Sequence, residues 1–410
     1  MSRQFYRNRA VTGDLPQIEI GGTVLIPNYG VAWDESADTY ARTGDTLGET
    51  LSASLSDALL PIQALMKRCV INDSGVVQYY LNASDSTVKA EGGASVLTGA
   101  DGQVMVEIPA FYYKYSYAGT THTWEISSLP QDGYSLHPAF VKNGSNVDYR
   151  YIGAYEGIAW DNSASAYIDG VSFAGDTGAD KLSSVSGFAP WTDETRGQMR
   201  LEAANRGAGW RQQDFDLVSA VQLLYLVEYA DWDSQTMIGM GRTELSGGSW
   251  AKDSYIGVTG KSNSDGNGTN SVAGNTNNAY MTYRGIENFF GNVYKWVDGI
   301  NINDNVPYVS NTDTDFADDT TTNYTSLGVT LAAANGYQVL LEQQSRGFLP
   351  ASIGGASNTY ITDYYYQAAG WRVVMLGGSA NEGAVAGVAC WLASVDAAYD
   401  GVSVGGRLCF

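Results

Sequence analysis

One stretch of this chain carries a helical repeat without interruption. From Asp214 to Tyr229 it places Leu217, Val218, Val221, Leu224, Tyr225 and Glu228 at helical spacing, behind an Asp at the N-terminal end. A second helix is predicted over Asp193 to Arg206, with charged residues on one side and Gly207 as its stop. Almost everything else reads as short strands cut off by Gly, Asn, Asp or Pro. Two helices in a strand-patterned chain place it in the α+β class.

The strands are read as follows. Gln17 to Ile26 alternates around Gly21-Gly22, as a strand or hairpin does. Val76–Leu81, Gln103–Ile108 and Phe111–Tyr115 follow, with Asp101-Gly102 as a turn signal. A short helix is expected near Ser56 to Lys67, limited or kinked by Pro61. After His137-Pro-Ala-Phe140 and the turn Asn143-Gly144 we expect a boundary, giving a β-rich region 1–145 and a second region 146–410. In the latter, Ser262 to Asn278 has no core-forming pattern and reads as a long surface loop. Asn292–Val297, Tyr337–Leu341, Gly370–Met375, Val388–Val395 and Val402–Phe410 read as strands, and no repeat of fixed period is visible.

Charge narrows the partners. The chain has 23 Lys and Arg against 44 Asp and Glu, a formal charge of −21. That field repels phosphate backbones and anionic bilayers, which argues against nucleic acid and membrane insertion; its plainest meaning is solubility. No run of 18 apolar residues occurs, the length a membrane span needs. The basic start, Met1 to Arg9, is not followed by the apolar core of a secretory signal, so we expect synthesis and folding in a reducing cytosol. Three cysteines (Cys69, Cys390, Cys409) have no metal spacing and imply no disulfide framework.

Catalytic chemistry is poorly supplied. Only His122 and His137 are available as imidazoles, and no phosphate loop or His-Glu-x-x-His motif is present. Asp313-Thr-Asp-Thr-Asp-Phe-Ala-Asp-Asp319 could offer calcium its oxygens but lacks the spacing of a known calcium loop, and reads more simply as a solvated acidic turn. Asp265 to Asn270 is a weaker candidate. The run Asp363-Tyr-Tyr-Tyr366 could form a carbohydrate or peptide platform; most such aromatics are packing residues. We therefore expect no catalytic residues, no cofactor and no metal.

Three stretches together resemble one family. Tyr283-Arg-Gly-Ile-Glu-Asn-Phe-Phe-Gly-Asn-Val-Tyr-Lys-Trp296 resembles the signature of formylglycine-generating-enzyme-like domains, a branch of the C-type lectin fold. Gly370-Trp-Arg-Val-Val-Met-Leu-Gly-Gly378 resembles the strand and turn that follow it, and Gly405-Gly-Arg-Leu-Cys-Phe410 the closing strand. The resemblance covers roughly residues 150 to 410 and implies a C-type-lectin-like domain there. Enzymes of this fold use two cysteines just beyond the Gly-Gly turn; here Ser379 to Val385 holds no thiol, so the oxidase alternative is disfavoured. Lys295 stands where that signature has an acidic residue, and we expect its ammonium to fill the space of a cation bound in relatives.

From Phe348 to the C-terminus the chain is similar to the variable proteins of diversity-generating retroelements, many of them phage-borne. That resemblance implies a variable region at about 371–410 with exchangeable residues at Ser379, Asn381, Glu382, Val385, Leu392, Ser394, Val395, Tyr399, Gly401 and Ser403. It marks Trp391, Val402, Val404, Gly405 and Arg407 as fixed scaffold. Leu392 with Ser394, and Tyr399 with Gly401 and Ser403, alternate as residues on one face of a strand do, with Val402 and Val404 facing a core. Tyr399 and Trp391 are the expected anchors. The function implied is ligand display from a phage tail or head fibre to a host cell-surface protein or glycan. Residues 1–145 would attach the chain to other virion proteins, in a homo-oligomer for which a trimer is the favoured state. The remaining alternative is a purely structural virion protein.

Overall fold

A computed structural model of the protein describes residues 18–20, 23–25 and 28–410. Strand makes up 36% and helix 12%, so the chain is mostly β with curled sheets, compatible with the α+β class. The basic Met1 to Arg9 and the Gly21-Gly22 turn lie outside the described residues; the strands flanking that turn, Ile18–Ile20 and Thr23–Leu25, pair antiparallel.

Helix α1 (Arg196–Ala204) starts at a capping box, in which Thr195 and Gln198 satisfy each other's backbone N–H groups. Helix α2 (Phe215–Tyr229) is capped by Asp214, whose carboxylate accepts from Leu217 N at 3.0 Å. All 15 of its residues are buried, which is where a helix without a polar face belongs. Its polar members are paired inside: Asp216 with Arg346, and Glu228 with Arg284 at 2.7 Å and Tyr283 Oη at 3.0 Å. At its C-terminal end the carbonyls of Val227 and Glu228 accept from the Arg42 guanidinium, where orphan acceptors and the helix dipole both favour a cation.

Sheets enclose α2. A five-stranded sheet runs Ser135–Leu136, Tyr112–Ala118, Thr121–Ser127, Asn28–Asp34, Thr39–Gly44. A six-stranded sheet runs Arg211–Gln212, Leu408–Cys409, Tyr149–Gly153, Gln103–Pro109, Lys67–Ile71, Val77–Tyr80. The largest runs Thr325–Ser326, Val306–Val309, Tyr294–Asn303, Trp371–Leu376, Trp391–Ala393, Ile361–Gln367, Gly336–Gln344, Gly347–Ile353, with Val404–Gly405 parallel to Tyr294–Lys295.

The division expected near residue 145 is not a break in the structure. Tyr149–Gly153 is paired with Gln103–Pro109, and one core joins Trp124, Ile126 and Val106 to Leu341, Phe348 and Trp391. Asn143-Gly144 is the tip of a small hairpin, Val141–Lys142 with Ser145–Asn146, whose turn chemistry in sequence is the same as a linker's. The helix expected over Ser56 to Lys67 is two 3-10 turns, Asp57–Leu59 and Gln63–Leu65, on either side of Pro61, which has no N–H to continue a helix. Lys67 instead opens a strand buried in the sheet. Within Ser262 to Asn278, Ser262 is fully buried and Asn270–Val272 pairs with Tyr280–Tyr283, so that segment is only partly a surface loop. The strands expected at Val388–Val395 and Val402–Phe410 shrink to Trp391–Ala393, Val404–Gly405 and Leu408–Cys409.

A loop-rich chain needs partners for its buried carbonyls. Fully buried arginines supply many of them. Arg68 donates to the Gly285 and Ser262 carbonyls, Arg196 to those of Val297, Ile300 and Ala317, and Arg407 to those of Gly153, Glu287 and Asn288. The guanidinium suits the task because its five donors form a rigid fork.

Candidate functional site

The large sheet has two unlike faces near its middle. Val297, Val374, Leu376, Trp391, Ala393 and Tyr365 turn toward α2. Tyr294, Trp296, Val373 and Met375 turn the other way, and Leu392, Val395 and Ala397 pack partly exposed against them. Leu392 lies opposite Tyr366 on one neighbouring strand and Met375 on the other. Along Trp391–Ala393 the pattern is buried, half-buried, buried, so the alternation expected around Leu392 is present.

The segment before that strand is set by a tight turn. Gly377 and Gly378 both have positive φ (95° and 75°), and a Cβ on Gly378 would lie 2.5 Å from that of Ala386. A 3-10 turn, Gly383–Val385, follows, with Gln235 Nε2 donating to the carbonyls of Gly383 and Ala386 at 2.8 and 2.6 Å. Asn381 is exposed, while Glu382 and Val385 are half-buried. Glu382 accepts from Tyr366 Oη at 3.3 Å, and burial raises its carboxyl above the ordinary range. Ser379 is only 1% exposed, held beneath the turn with its hydroxyl toward Asn381 and Glu382 at 3.4 and 3.5 Å. As placed, it presents nothing outward.

Beyond the strand, residues 394–403 form a loop. Tyr399, Gly401 and Ser403 are therefore not on one strand as their spacing suggested; the chain turns at Ala397-Ala398 and again at Val402-Ser403. The loop is tied down by its backbone. Val373 N donates to Val395 O at 3.1 Å, Tyr294 N to Ser403 O at 2.9 Å, and Asp193 N to Gly401 O at 3.2 Å. Tyr399 is 38% exposed and rests edge-on against Trp296, ring centroids 6.4 Å apart. Ser394, Val395, Gly401 and Ser403 are all half-buried. A Cβ on Gly401 would meet the Tyr399 hydroxyl at 2.6 Å, the mobile end of a side chain rather than backbone, so larger residues fit there if Tyr399 swings.

Trp391 is not an anchor. It is fully buried, edge-on to Phe215 of α2 at 5.8 Å, and belongs to the core. The scaffold positions behave unevenly: Val404, Gly405 and Arg407 are buried, whereas Val402 is half-buried. Gly405 admits no side chain, since a Cβ would lie 2.6 Å from the Trp191 carbonyl.

Sequence spacing singled out neither Tyr364 nor Tyr366 as neighbours of this surface. Both are half-buried on its accessible side, rings 4.6 Å apart, while Tyr365 between them is buried. The signal was the run of three tyrosines on a strand, of which alternate members must face opposite ways.

Below the surface, Lys295 is buried with its Nζ donating to the Gly291 carbonyl and 3.3 Å from Glu156 Oε1. The other carboxylate oxygen of Glu156 accepts from Asn288 at 3.1 Å and from Asn292. Burial pulls the lysine down to about 8, with Glu156 opposing. One positive charge thus sits among a carbonyl, a carboxylate and two amides, the donor types a hard cation takes.

The acidic run Asp313–Asp319 is only partly solvated: Asp319 is exposed, but two other members are tied to arginines. Asp313 pairs with Arg211, and Asp318 pairs with Arg196 at 2.7 Å and Arg200 at 3.0 Å. Asp265 accepts from Tyr280 Oη at 2.6 Å and Asn270 at 3.0 Å. Among the described residues no group of three His, Cys, Asp or Glu is placed to hold a metal. Cys69, Cys390 and Cys409 are buried and unpaired, and burial raises the thiol of Cys390 well above its ordinary value. His137 accepts from Ala139 N and is fully buried, which lowers it to about 3; His122 is enclosed by Trp33, Trp124, Tyr115 and Tyr117. No family model matches this chain, and no curated protein matches it.

Proposed function

We propose that this chain is a retroelement-diversified binding protein with a C-type-lectin-like region 146–410. It displays Asn381, Glu382, Val385, Leu392, Ser394, Val395, Tyr399, Gly401 and Ser403 to a host cell-surface protein or glycan. The observation that carries the reading is the interleaving of accessible and buried positions. Nine of the ten expected exchangeable positions reach solvent at least in part, while Trp391, Ala393 and Val404 to Cys409 between and beyond them are buried. Side chains can then change at the surface while the buried residues between them keep their places, although Leu392, Val395 and Tyr399 also rest on that core. The return of Leu408–Cys409 to the side of Tyr149–Gly153 brings the last strand back to the start of that region, in a sheet it shares with Gln103–Pro109. The setting of Lys295 supports an ammonium in the place of a cation, and calcium bound at Asn292 in a crystal would refute it.

The chain would act as part of a phage tail or head fibre, in a homo-oligomer, a trimer by preference, in which weak contacts add by avidity. Tyr399 is the anchor, being aromatic, in contact with Trp296 and exposed. The experiment replaces Leu392, Ser394, Val395, Tyr399 and Ser403 together with Ala and measures adsorption to host cells beside a thermal melt. Adsorption should fall while the variant still melts cooperatively, at a somewhat lower temperature because Leu392, Val395 and Tyr399 lose half-buried contacts. Unaltered adsorption by a folded variant would leave the structural virion protein as the better account.

A further inference from the structure

The three-stranded sheet of Ala166–Ile168, Ile158–Asp161 and Lys181–Ser183 also has two unlike faces. Ala159, opposite Ile168 and Leu182, turns into a core shared with Trp191 and Met199. Trp160 comes next. It lies directly opposite Tyr167 on one side and Lys181 on the other, and residues in register across antiparallel strands share a face. The outer face therefore carries two aromatic rings and an ammonium in a row. Trp160 and Tyr167 meet edge to face, centroids 4.8 Å apart, and both stay half-exposed. They form one wall of a cleft of about 710 Å³; the loops at Asn72-Asp73 and Thr98–Gln103 form the other.

The cleft walls are fixed in place. Gly99 stands so near Tyr167 that a Cβ would lie 2.3 Å from its hydroxyl, so only glycine lets that loop close in. Buried Gln103 donates to Tyr167 Oη at 3.3 Å and accepts from Ser184 N at 2.7 Å. Arg206, 6% exposed, is held by Asp73 at 2.7 Å and the Leu182 carbonyl at 2.9 Å.

Charge then selects the ligand. In a chain of net charge −21, this cleft balances Asp73 and Asp101 against Lys181 and Arg206. Neither an anion nor a cation is favoured. A half-exposed aromatic pair beside amides and carboxylates fits a sugar ring, whose C–H edges pack on aromatic rings while its hydroxyls both donate and accept. The volume lies within the usual range for small-ligand pockets. We propose that the cleft binds a neutral oligosaccharide, with Trp160 as the stacking platform and Asn162 at the rim. It shares no residue with the 379–403 surface, so either site can fail without the other.

The test titrates the full chain with cellotetraose, maltotetraose, chitotetraose and, as a charged arm, a sialylated tetrasaccharide, read by saturation-transfer NMR and tryptophan fluorescence. At least one neutral tetrasaccharide should bind. Trp160→Ala should weaken that binding about tenfold, the scale of a lost aromatic contact. Asn162→Ala, at an exposed position, should weaken it about threefold, and decides alone if Trp160→Ala does not fold. The five-alanine variant at 392–403 should bind the sugar as the parent does. Binding of the charged sugar alone, of none of the neutral ones, or undiminished binding by folded Trp160→Ala would each overturn the proposal.

Discussion

Removing the charge of Lys295 while keeping its volume is the sharpest perturbation of the buried centre. Lys295 and Glu156 are each about 1% exposed, and the ammonium is 3.3 Å from Glu156 Oε1. That oxygen has no hydrogen bond from any other group, whereas Oε2 accepts from Asn288 and Asn292. Lys295→Met therefore leaves that carboxylate oxygen buried without its nearest partner, with only the Arg407 and Arg242 charges in its neighbourhood, at a cost of ~3 kcal/mol. Glu156→Gln strands the ammonium on the Gly291 carbonyl alone and should cost a similar amount, ~3 kcal/mol. The double variant removes both members of the pair, leaving Arg407 and Arg242 to lose Glu156 as a neighbouring counter-charge, and should lie nearer the parent than either single variant. Urea unfolding at pH 7, followed by circular dichroism, gives the cycle. Additivity of the single losses to within ~0.5 kcal/mol would show that the two groups do not depend on each other, and the reasoning would fail.

Other consequences are quicker to check. His137 is lowered to about 3 by burial, so the unfolded chain takes up its proton first; stability should be full above pH 6.5 and fall as the pH drops, by ~2 kcal/mol at pH 5, and His137→Asn should flatten that part of the profile in urea midpoints. Trp391→Ala opens a cavity against Phe215 and should cost ~3–5 kcal/mol, whereas Leu392→Ala next to it should cost ~1 kcal/mol; equal losses in denaturant midpoint would place both residues in the core. Adding calcium, or removing it with a chelator, should leave Tm unchanged, because the Asp313–Asp319 carboxylates that matter are already paired with arginines; a rise with calcium would contradict this.

What could be read in advance follows from the range of the forces involved. The α2 repeat and the strands at Gln103 and Trp371 are local in origin, and the structure has them; Asp101-Gly102 joins no hairpin, since Val77–Tyr80 pairs with Lys67–Ile71 instead. The capping box of Thr195 and Gln198 moves the start of α1 three residues past the expected Asp193, to Arg196. The strand Lys67–Ile71 was not legible, because Arg68 looks like a surface residue until Gly285 and Ser262, about two hundred positions away, supply its partners. The same holds for Arg196, Arg211 and the acidic run. At the candidate surface, alternation placed Trp391 and Leu392 on opposite faces, but no local pattern distinguishes an anchor from a core tryptophan. Burial of Trp391 under α2 is a tertiary fact.

On the proposed reading, the nine accessible positions between 381 and 403 are free to change because the buried scaffold beneath them does not depend on any one of their side chains. Randomising Asn381, Glu382, Val385, Leu392, Ser394, Val395, Tyr399, Gly401 and Ser403 in a displayed library, and sorting it for protease resistance and then for cell binding, tests this directly. Most variants should stay resistant, and they should differ from one another in the cells they recognise. Widespread loss of resistance, or variants that all bind as the parent does, would contradict it.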